Sequence, residues 1–431
     1  MLNLIGVIVA FAVIIFLIRK KINFGLSLIL GSIIVGLFSL QEISIVDIPK
    51  SFIEATFYSF KNQTINFQTI ELAVLLTLIY ILAKTMQETD AINKMINSLR
   101  TLFYKGGTLG IIPAVYGLMP VPGGALFSAP MIDKEGEKYK LKQDQKNFLN
   151  VWFRHVWFPI FPVSSAMLLI ISSDFSDINI YELIIADLPA FIAFIVIGLI
   201  FLKFFIKHSF SEPVEKPEKD YKGLVYLLPP IIPILIYVLF FIVFILAGFQ
   251  NIKDFQRIVF IIGVILSLIA LYYLLDIQWR EYLEILKKSV SFNLALAIFG
   301  IMIFREIIET SRSNEILADV LGGLPFPAVI IILITPFFLG LITGYNFGAI
   351  ALSYFLVEPF FRYTNINIVG LTSLIFISSL LGYLISPIHL CNVVSSEYLK
   401  TDVTRMYKMY LPAIFLLLLI QTTFIIVFYT I

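Results

Sequence analysis

The chain has 431 residues, 59% of them hydrophobic and only 14% charged, with a formal net charge of +2. A soluble chain of this length would carry nearer a quarter charged residues, so a water-soluble globular fold is excluded. The net charge by itself says nothing of a nucleic-acid partner, and none is expected; the single cysteine, Cys391, rules out an internal disulfide.

The first apolar run, Leu2 to Ile18, is followed rather than preceded by positive charge at Arg19, Lys20 and Lys21, so it is expected to be a retained span and not a cleaved leader. Apolar runs between charged or Pro/Gly/Asn clusters predict ten crossing spans, roughly 2–18, 22–40, 69–86, 147–173, 180–206, 225–248, 257–275, 289–306, 367–398 and 403–430. Between the second and third, Ile43 to Phe67 mixes apolar and polar residues and is expected to lie along the outer membrane surface. Two further apolar stretches, 107–131 and 326–357, are broken near their middles, at Pro122-Gly123-Gly124 and at Gly344-Tyr345-Asn346. Each is expected to be a re-entrant hairpin of two half-helices. The charged segment Asp133–Lys146 suggests a solvated loop, and a polar, proline-bearing linker over 207–224 divides the chain almost at its midpoint.

Charge sets the orientation. With both hairpins re-entrant, 22 of the 31 Lys and Arg fall on the side of the Arg19–Lys21 loop. Positive charge favours the cytoplasmic side, so both termini are expected outside and the 207–224 linker in the cytoplasm, in the plasma or inner membrane. Residues 1–206 and 225–431 then each hold five spans and one hairpin, entering from the cytoplasm at 107–131 and from outside at 326–357. Five is odd, so equivalent elements would run in opposite directions. Three matches recur in order: Gly124-Ala125-Leu126 with Gly348-Ala349-Ile350, Pro162 with Pro387, and Ser172-Ser173-Asp174-Phe175 with Ser395-Ser396-Glu397-Tyr398. The expected fold is an all-α polytopic membrane protein: ten transmembrane helices plus two re-entrant hairpins, in two inverted-topology repeats with broken helices at the midplane.

Two of the predicted spans are also interrupted, at Phe158-Pro159-Ile160-Phe161-Pro162 and at Ser386-Pro387-Ile388-His389-Leu390-Cys391-Asn392. Lipid tolerates an unwound backbone only where protein or a water-filled cavity satisfies it, and paired interruptions in two halves point to a transporter's substrate site. The alternative is that Gly and Pro merely kink ordinary spans. Half-helices start after Gly124 and after Pro162, where Ser164 and Ser165 can serve as N-caps, and equivalent starts follow Gly344 and lie around Asn392. Helix N-termini favour anions, and no Asp or Glu lies in any of the four breaks.

The substrate-binding candidates are therefore Pro122, Gly123, Gly124, Ser164, Ser165, Thr343, Gly344, Asn346, His389, Asn392 and Arg154. Freed carbonyls with Ser164, Thr343, Asn346 or Asn392 could hold Na⁺, and His389 could relay a proton, so either coupling ion is open. Arg154, inside the fourth predicted span, either attracts the anion, snorkels to the headgroups or pairs with an acid such as Asp133. His389 could instead satisfy loose carbonyls. Asp187 either complements a helix dipole or relays a proton. Cys391 is expected to be a small apolar filler; no metal, and no cofactor beyond the coupling ion, is expected.

The segment Met119-Pro120-Val121-Pro122-Gly123-Gly124-Ala125-Leu126-Phe127-Ser128-Ala129-Pro130 resembles the signature of an integral-membrane family of the domain-of-unknown-function 401 type. That family is related to gluconate permeases, within the ion-transporter superfamily of carboxylate carriers. The resemblance extends over nearly the whole chain through the ten-span, two-hairpin layout. It implies a homodimer with separate scaffold and transport parts, moving a carboxylate together with Na⁺ or H⁺. Both hairpin tips lack the Ser-Asn-Thr signature of the sodium–dicarboxylate branch.

The expected function is thus secondary active transport of a small organic anion, gluconate-like or another carboxylate, with hairpins and broken spans moving as a unit in an elevator-type cycle. The expected partners are the anion, membrane lipid and a second copy of the chain. No phosphate-binding Gly-rich loop ending in Gly-Lys-Ser/Thr suggests an ATPase, and no enzymatic activity is expected. The alternatives are an intramembrane serine hydrolase, with Ser128, Ser164 or Ser165 as nucleophile and His155 or His389 as base, or an anion channel.

Overall fold

The computed structural model describes residues 2–60, 62–103, 106–118, 124–207, 218–248, 255–322 and 327–431. Without water to satisfy peptide groups in lipid, the apolar runs become helices. The first half holds α1 (Leu2–Arg19), α2 (Phe24–Phe38), α3 (Asp47–Thr56), α4 (Gln68–Glu88) and α5 (Ala91–Leu102). It continues with α6 (Thr108–Gly117), α7 (Ala125–Glu137), α8 (Gln143–Arg154), α9 (Ser165–Ile170) and α10 (Ile180–Lys207). The second half holds α11 (Leu228–Leu246), α12 (Gln256–Leu274), α13 (Trp279–Ser289), α14 (Phe292–Thr310) and α15 (Ser313–Gly322). Then come α16 (Ala328–Thr343), α17 (Asn346–Val357), α18 (Ile368–Ile385), α19 (Leu390–Tyr398) and α20 (Val403–Phe428). A short hairpin, β1 (Tyr58–Ser59) antiparallel to β2 (Thr64–Ile65), follows α3 in the segment expected to lie along the surface.

Among the described residues, eight helical stretches are long and apolar enough to cross a membrane: α1, α4, α10, α11, α12, α13–α14, α18–α19 and α20. The chain is a multi-pass helical membrane protein. Two of the ten predicted spans are not among the eight. The 22–40 stretch gives only the 15 residues of α2, about 22 Å of helix against a hydrocarbon core of roughly 30 Å. The 147–173 stretch is divided between α8 and the six-residue α9, because Pro159 and Pro162 cannot continue a helix.

Ten helices stand in each half among the described residues, and their packing partners recur in the same order. α1 packs on α2 as α11 packs on α12, and α14 packs on α2 and α3 as α4 packs on α12 and α13. α6 packs on α7 and α8 as α16 packs on α17 and α18, and α7 meets α19 as α17 meets α9. Individual contacts repeat too. A Cβ on Gly117 would lie 1.9 Å from the carbonyl oxygen of Arg154, and one on Gly340 would lie 2.4 Å from that of Ser379. Small residues at these crossings let backbones approach where apolar burial gives helices no driving force to associate in lipid.

The segment Asp133–Lys146 is not a solvated loop. α7 runs on through Glu137, and the buried Lys146 ammonium pairs with Asp133 at 2.6 Å. Glu135, also buried, accepts from Thr108 at 2.8 Å and pairs with Lys138 at 2.9 Å. A buried charge has to be paired, and these are. Residues 208–217 of the predicted linker lie outside the described residues, but its end is clamped to α5. Ser98 accepts from the Gly223 amide at 2.8 Å and Thr101 from the Asp220 amide at 2.9 Å.

At the far end of α14, Arg305 bridges Asp174 at 2.9 Å and Glu309 at 2.8 Å, tying the turn after α9 to the second half. Glu358, in the 3₁₀ turn Glu358–Tyr363 after α17, belongs to the same charge cluster. Burial, and then the Glu309 carboxylate, push its carboxyl up to about 7, against the pull of Arg305.

Two measurements check this packing. Gly300→Ala would drive a Cβ to 2.4 Å from the Gly25 carbonyl oxygen at the α2–α14 crossing, and is expected to cost about 1–3 kcal/mol, read as a lower melting temperature in detergent. Because Glu358 holds its proton more tightly when folded, its contribution to stability falls as pH rises through the window between its unfolded value and about 7. Melting temperatures taken from about pH 5 to 8 are expected to decline in the wild type, and Glu358→Gln should flatten that decline.

Candidate functional site

Three of the interruptions meet beside the end of α6. A cavity of about 230 Å³ is lined by the end of α6, the segment from the end of α8 to the start of α9, the α16–α17 tip and the α18–α19 break. Gly117, Arg154, His155, Ser164, Ser165, Gly344, Asn346, Tyr383, His389 and Cys391 all contribute, with Phe158, Phe161 and Tyr345 supplying an aromatic wall. Among the described residues, no carboxylate lines it.

Each break has a local cause and a local repair. α16 stops because Gly344 turns left-handed (φ +61°), its N–H returning to the Gly340 carbonyl at 2.9 Å. Tyr345 then runs extended before α17 restarts at Asn346. α18 stops at Ile385 because a residue before proline avoids the helical region, and Pro387 follows Ser386. The carbonyls released are taken up by side chains. Ser386 donates to Leu341 at 2.7 Å, Asn392 donates to Leu384 and Ser386 at 2.8 and 3.0 Å, and Tyr407 donates to Ile385 at 3.0 Å. In the first half, Arg154 donates to Tyr116 at 2.8 Å and Asn150 to Ala125 at 3.1 Å.

Arg154 is 3% exposed, so it does not snorkel to the headgroups. Its guanidinium packs against the Gly124 backbone, where an added Cβ would fall 2.3 Å from Nη2. Nor is Asp133 its partner, since Lys146 holds that carboxylate. Gly124 is therefore the residue that lets an arginine reach the first hairpin tip. On the opposite side, Asn346 accepts from Ser379 at 2.8 Å, and its amide nitrogen has no partner while its side chain borders the cavity.

His155, at the end of α8, places Nδ1 at 2.6 Å from the Val151 carbonyl, which fixes Nδ1 as the donor and leaves Nε2 to accept from the Tyr383 hydroxyl at 3.4 Å. His389 stands at the N-cap position of α19 without a side-chain capping bond, its ring tilted 42° against Tyr383 with centroids 3.9 Å apart. Neither of its ring nitrogens makes a sound hydrogen bond, although the Leu384 carbonyl is nearby. The rings of His155 and His389 are 4.9 Å apart at 73°, and their ligand nitrogens and the Cys391 sulfur lie within 4.8 Å of one another. Neither histidine is hydrogen-bonded to a serine among the described residues; Ser164 instead caps α9 through the Met167 amide at 3.2 Å, and Ser128 donates to Asn150 at 2.6 Å.

A family model described as a protein of unknown function, DUF401, matches residues 2–429 of the chain. The chain belongs to the DUF401 family. No curated protein matches it.

In this DUF401 chain, Arg154, Ser164, Ser165, Gly344, Asn346 and His389 of the sequence-derived candidates border the cavity. Gly124 stands just behind Arg154. Thr343 and Asn392 do not face it. The Thr343 hydroxyl donates to Leu339 at 2.6 Å, and Asn392 is fully buried with its amide given to two carbonyls and its oxygen accepting from Tyr410 at 3.1 Å. Both side chains are consumed in closing the breaks. Pro122 and Gly123 lie outside the described residues. In sequence, Cys391 stands two residues from His389 but one cysteine and one histidine make no ligand cluster, His155 offers itself only as a possible base, and Tyr383 carries no signal of its own. Their common signal is position: each lies within a turn of a break.

Asn392→Ala is expected to leave the Leu384 and Ser386 carbonyls unpaired at a cost of about 2 kcal/mol or more. The check is a fall in melting temperature without any change in the affinity of the folded fraction for an anionic ligand.

Proposed function

We propose that this chain is a secondary active transporter of a small organic anion, gluconate-like or another carboxylate, and that it is related to gluconate permeases within the ion-transporter superfamily. The observation that carries this reading is a cavity bordered by the end of α6 and by the three described interruptions, with Arg154 and the amide of Asn346 at its wall and, among the described residues, no carboxylate lining it. A carboxylate entering here would meet a guanidinium, whose fork of donors matches two oxygens, and the N-terminal turns of α17 and α19. α9, with six residues, adds little dipole of its own.

The recurrence of packing partners between the halves supports two inverted repeats of five spans and a hairpin, with α2 and the α8–α9 pair as the ninth and tenth spans. In that arrangement the termini face outward, the 207–224 linker faces the cytoplasm, and the hairpins with the broken spans move against the remaining helices as an elevator within a homodimer. The coupling ion is H⁺ or Na⁺. For H⁺, two buried acceptors are in place: Nε2 of His155, which accepts only a long bond from Tyr383, and Asp187, whose Oδ1 accepts from Ser373 at 2.6 Å while Oδ2 has no partner among the described residues. An ionisable group buried among transmembrane helices is a functional candidate by default.

Uptake into proteoliposomes across a panel of carboxylates, with Na⁺ and pH gradients imposed separately, tests the reading. A carrier is expected to show accelerated exchange of labelled acid, whereas transport of cations or neutral solutes alone would overturn it. Arg154→Gln removes a charged hydrogen-bond donor worth roughly 1.5–3 kcal/mol, so affinity for the transported acid is expected to fall about 10–100-fold. Unchanged affinity in that variant would remove Arg154 from the site.

A further inference from the structure

The whole chain contains one cysteine and three histidines. The cysteine and two of the histidines converge on the cavity, although His155 is 234 residues from His389 in sequence. We propose that His155, His389 and Cys391 form a site for a transition-metal ion that prefers imidazole and thiolate ligands, with Zn²⁺ the ion of choice.

Three observations carry this. The ligand atoms lie within 4.8 Å of one another and all three residues are buried. Ligands at Zn–S ~2.3 Å and Zn–N ~2.0 Å stand roughly 3.3–3.6 Å apart, so closure on an ion takes under about 1 Å of side-chain movement at each. Second, His155 is already oriented as ligating histidines are: its Nδ1–H is given to the Val151 carbonyl at 2.6 Å, which leaves Nε2 as the coordinating atom, held meanwhile only by the long 3.4 Å bond from the Tyr383 hydroxyl. Third, His389 is 1% exposed with both ring nitrogens lacking a sound partner. Its contact with the Tyr383 ring accounts for the ring's position but leaves that polarity unsatisfied, which buried groups rarely tolerate. A coordinate bond to one nitrogen would answer it.

The donor set selects the ion. Two imidazoles and a thiolate favour Zn²⁺ or Cu⁺ over Mg²⁺ and Ca²⁺, which want oxygen. Three protein ligands leave a fourth position, and it opens onto the cavity. As the metal–sulfur bond forms, the thiol proton leaves to solvent and the metal keeps its oxidation state, so the thiolate cancels one of the two added charges. The Arg154 guanidinium borders the same cavity and opposes a bare cation. An anion at the fourth position would relieve both positive charges, so metal and carboxylate are expected to bind cooperatively. That cooperativity rests on the proposed anion site; the three-ligand site does not.

The test uses purified full-length protein in detergent, with Co²⁺ as a spectroscopic probe and Zn²⁺ as competitor. One Co²⁺ per chain is expected, with a sulfur-to-cobalt charge-transfer band that Zn²⁺ abolishes. Cys391→Ser is expected to lose the band, and His155→Gln and His389→Gln to weaken Co²⁺ binding by more than the roughly 10–100-fold that loss of an outer-shell partner costs. Since Cys391 is the only thiol, alkylation of the unmutated chain gives a readout independent of any variant's folding. Zn²⁺ is expected to slow it, and Mg²⁺ is not. Absence of the band in the wild type, or alkylation indifferent to Zn²⁺, overturns the metal site whatever the transport assays give. Metal binding without carboxylate transport would overturn only the transport reading.

Discussion

A peptide group released from a helix inside a membrane has no water to turn to, and this constraint organises the interior of the protein. Helices are interrupted in both halves, and carbonyls beside the α6–α7, α16–α17 and α18–α19 breaks are met by side chains drawn from another break or from the helix packed beside it. Arg154 reaches Tyr116 across the first hairpin, Ser386 reaches Leu341 across the second, and Asn150 ties Ala125 to Ser395 of α19. The interruptions are thus mutually dependent. Each is tolerable because the others stand next to it, and the cavity is the space their repairs leave over.

This dependence explains what could and could not be read from the sequence. Apolar runs placed most of the spans, and Pro159, Pro162, Gly344 and Pro387 marked the breaks, because chain stiffness and φ preferences are local properties. Whether a polar side chain near a break faces the cavity or repairs the backbone is not local. Thr343 and Asn392 looked like ligands because they sit in the breaks, and for that same reason they are spent on Leu339, Leu384 and Ser386. Charges misled in the same way at Lys146, whose burial against Asp133 is a tertiary event invisible in a run of charged residues. The convergence of His155 with Cys391 needed the fold, since no spacing rule spans 236 residues.

The halves agree in architecture but differ in the residues they bring to the centre. Close approach of Gly117 to Arg154 recurs as Gly340 to Ser379, so the arginine stands where the other half has a serine. The N-cap of α9 is Ser164 and that of α19 is His389. The first half therefore contributes the fixed positive charge and one imidazole, the second the other imidazole, the thiol and an amide. A site built from two similar halves need not be symmetric, and here the chemistry lies in the departures from symmetry.

The clamp of Ser98 and Thr101 on Asp220 and Gly223 fastens the start of the second half to α5 of the first, on the far side of residues 208–217. Covalent continuity through that stretch duplicates a bond that tertiary structure already makes. The two halves consequently have the character of two subunits that share one polypeptide by convenience, and a chain cut between them would be reassembled by its own interfaces.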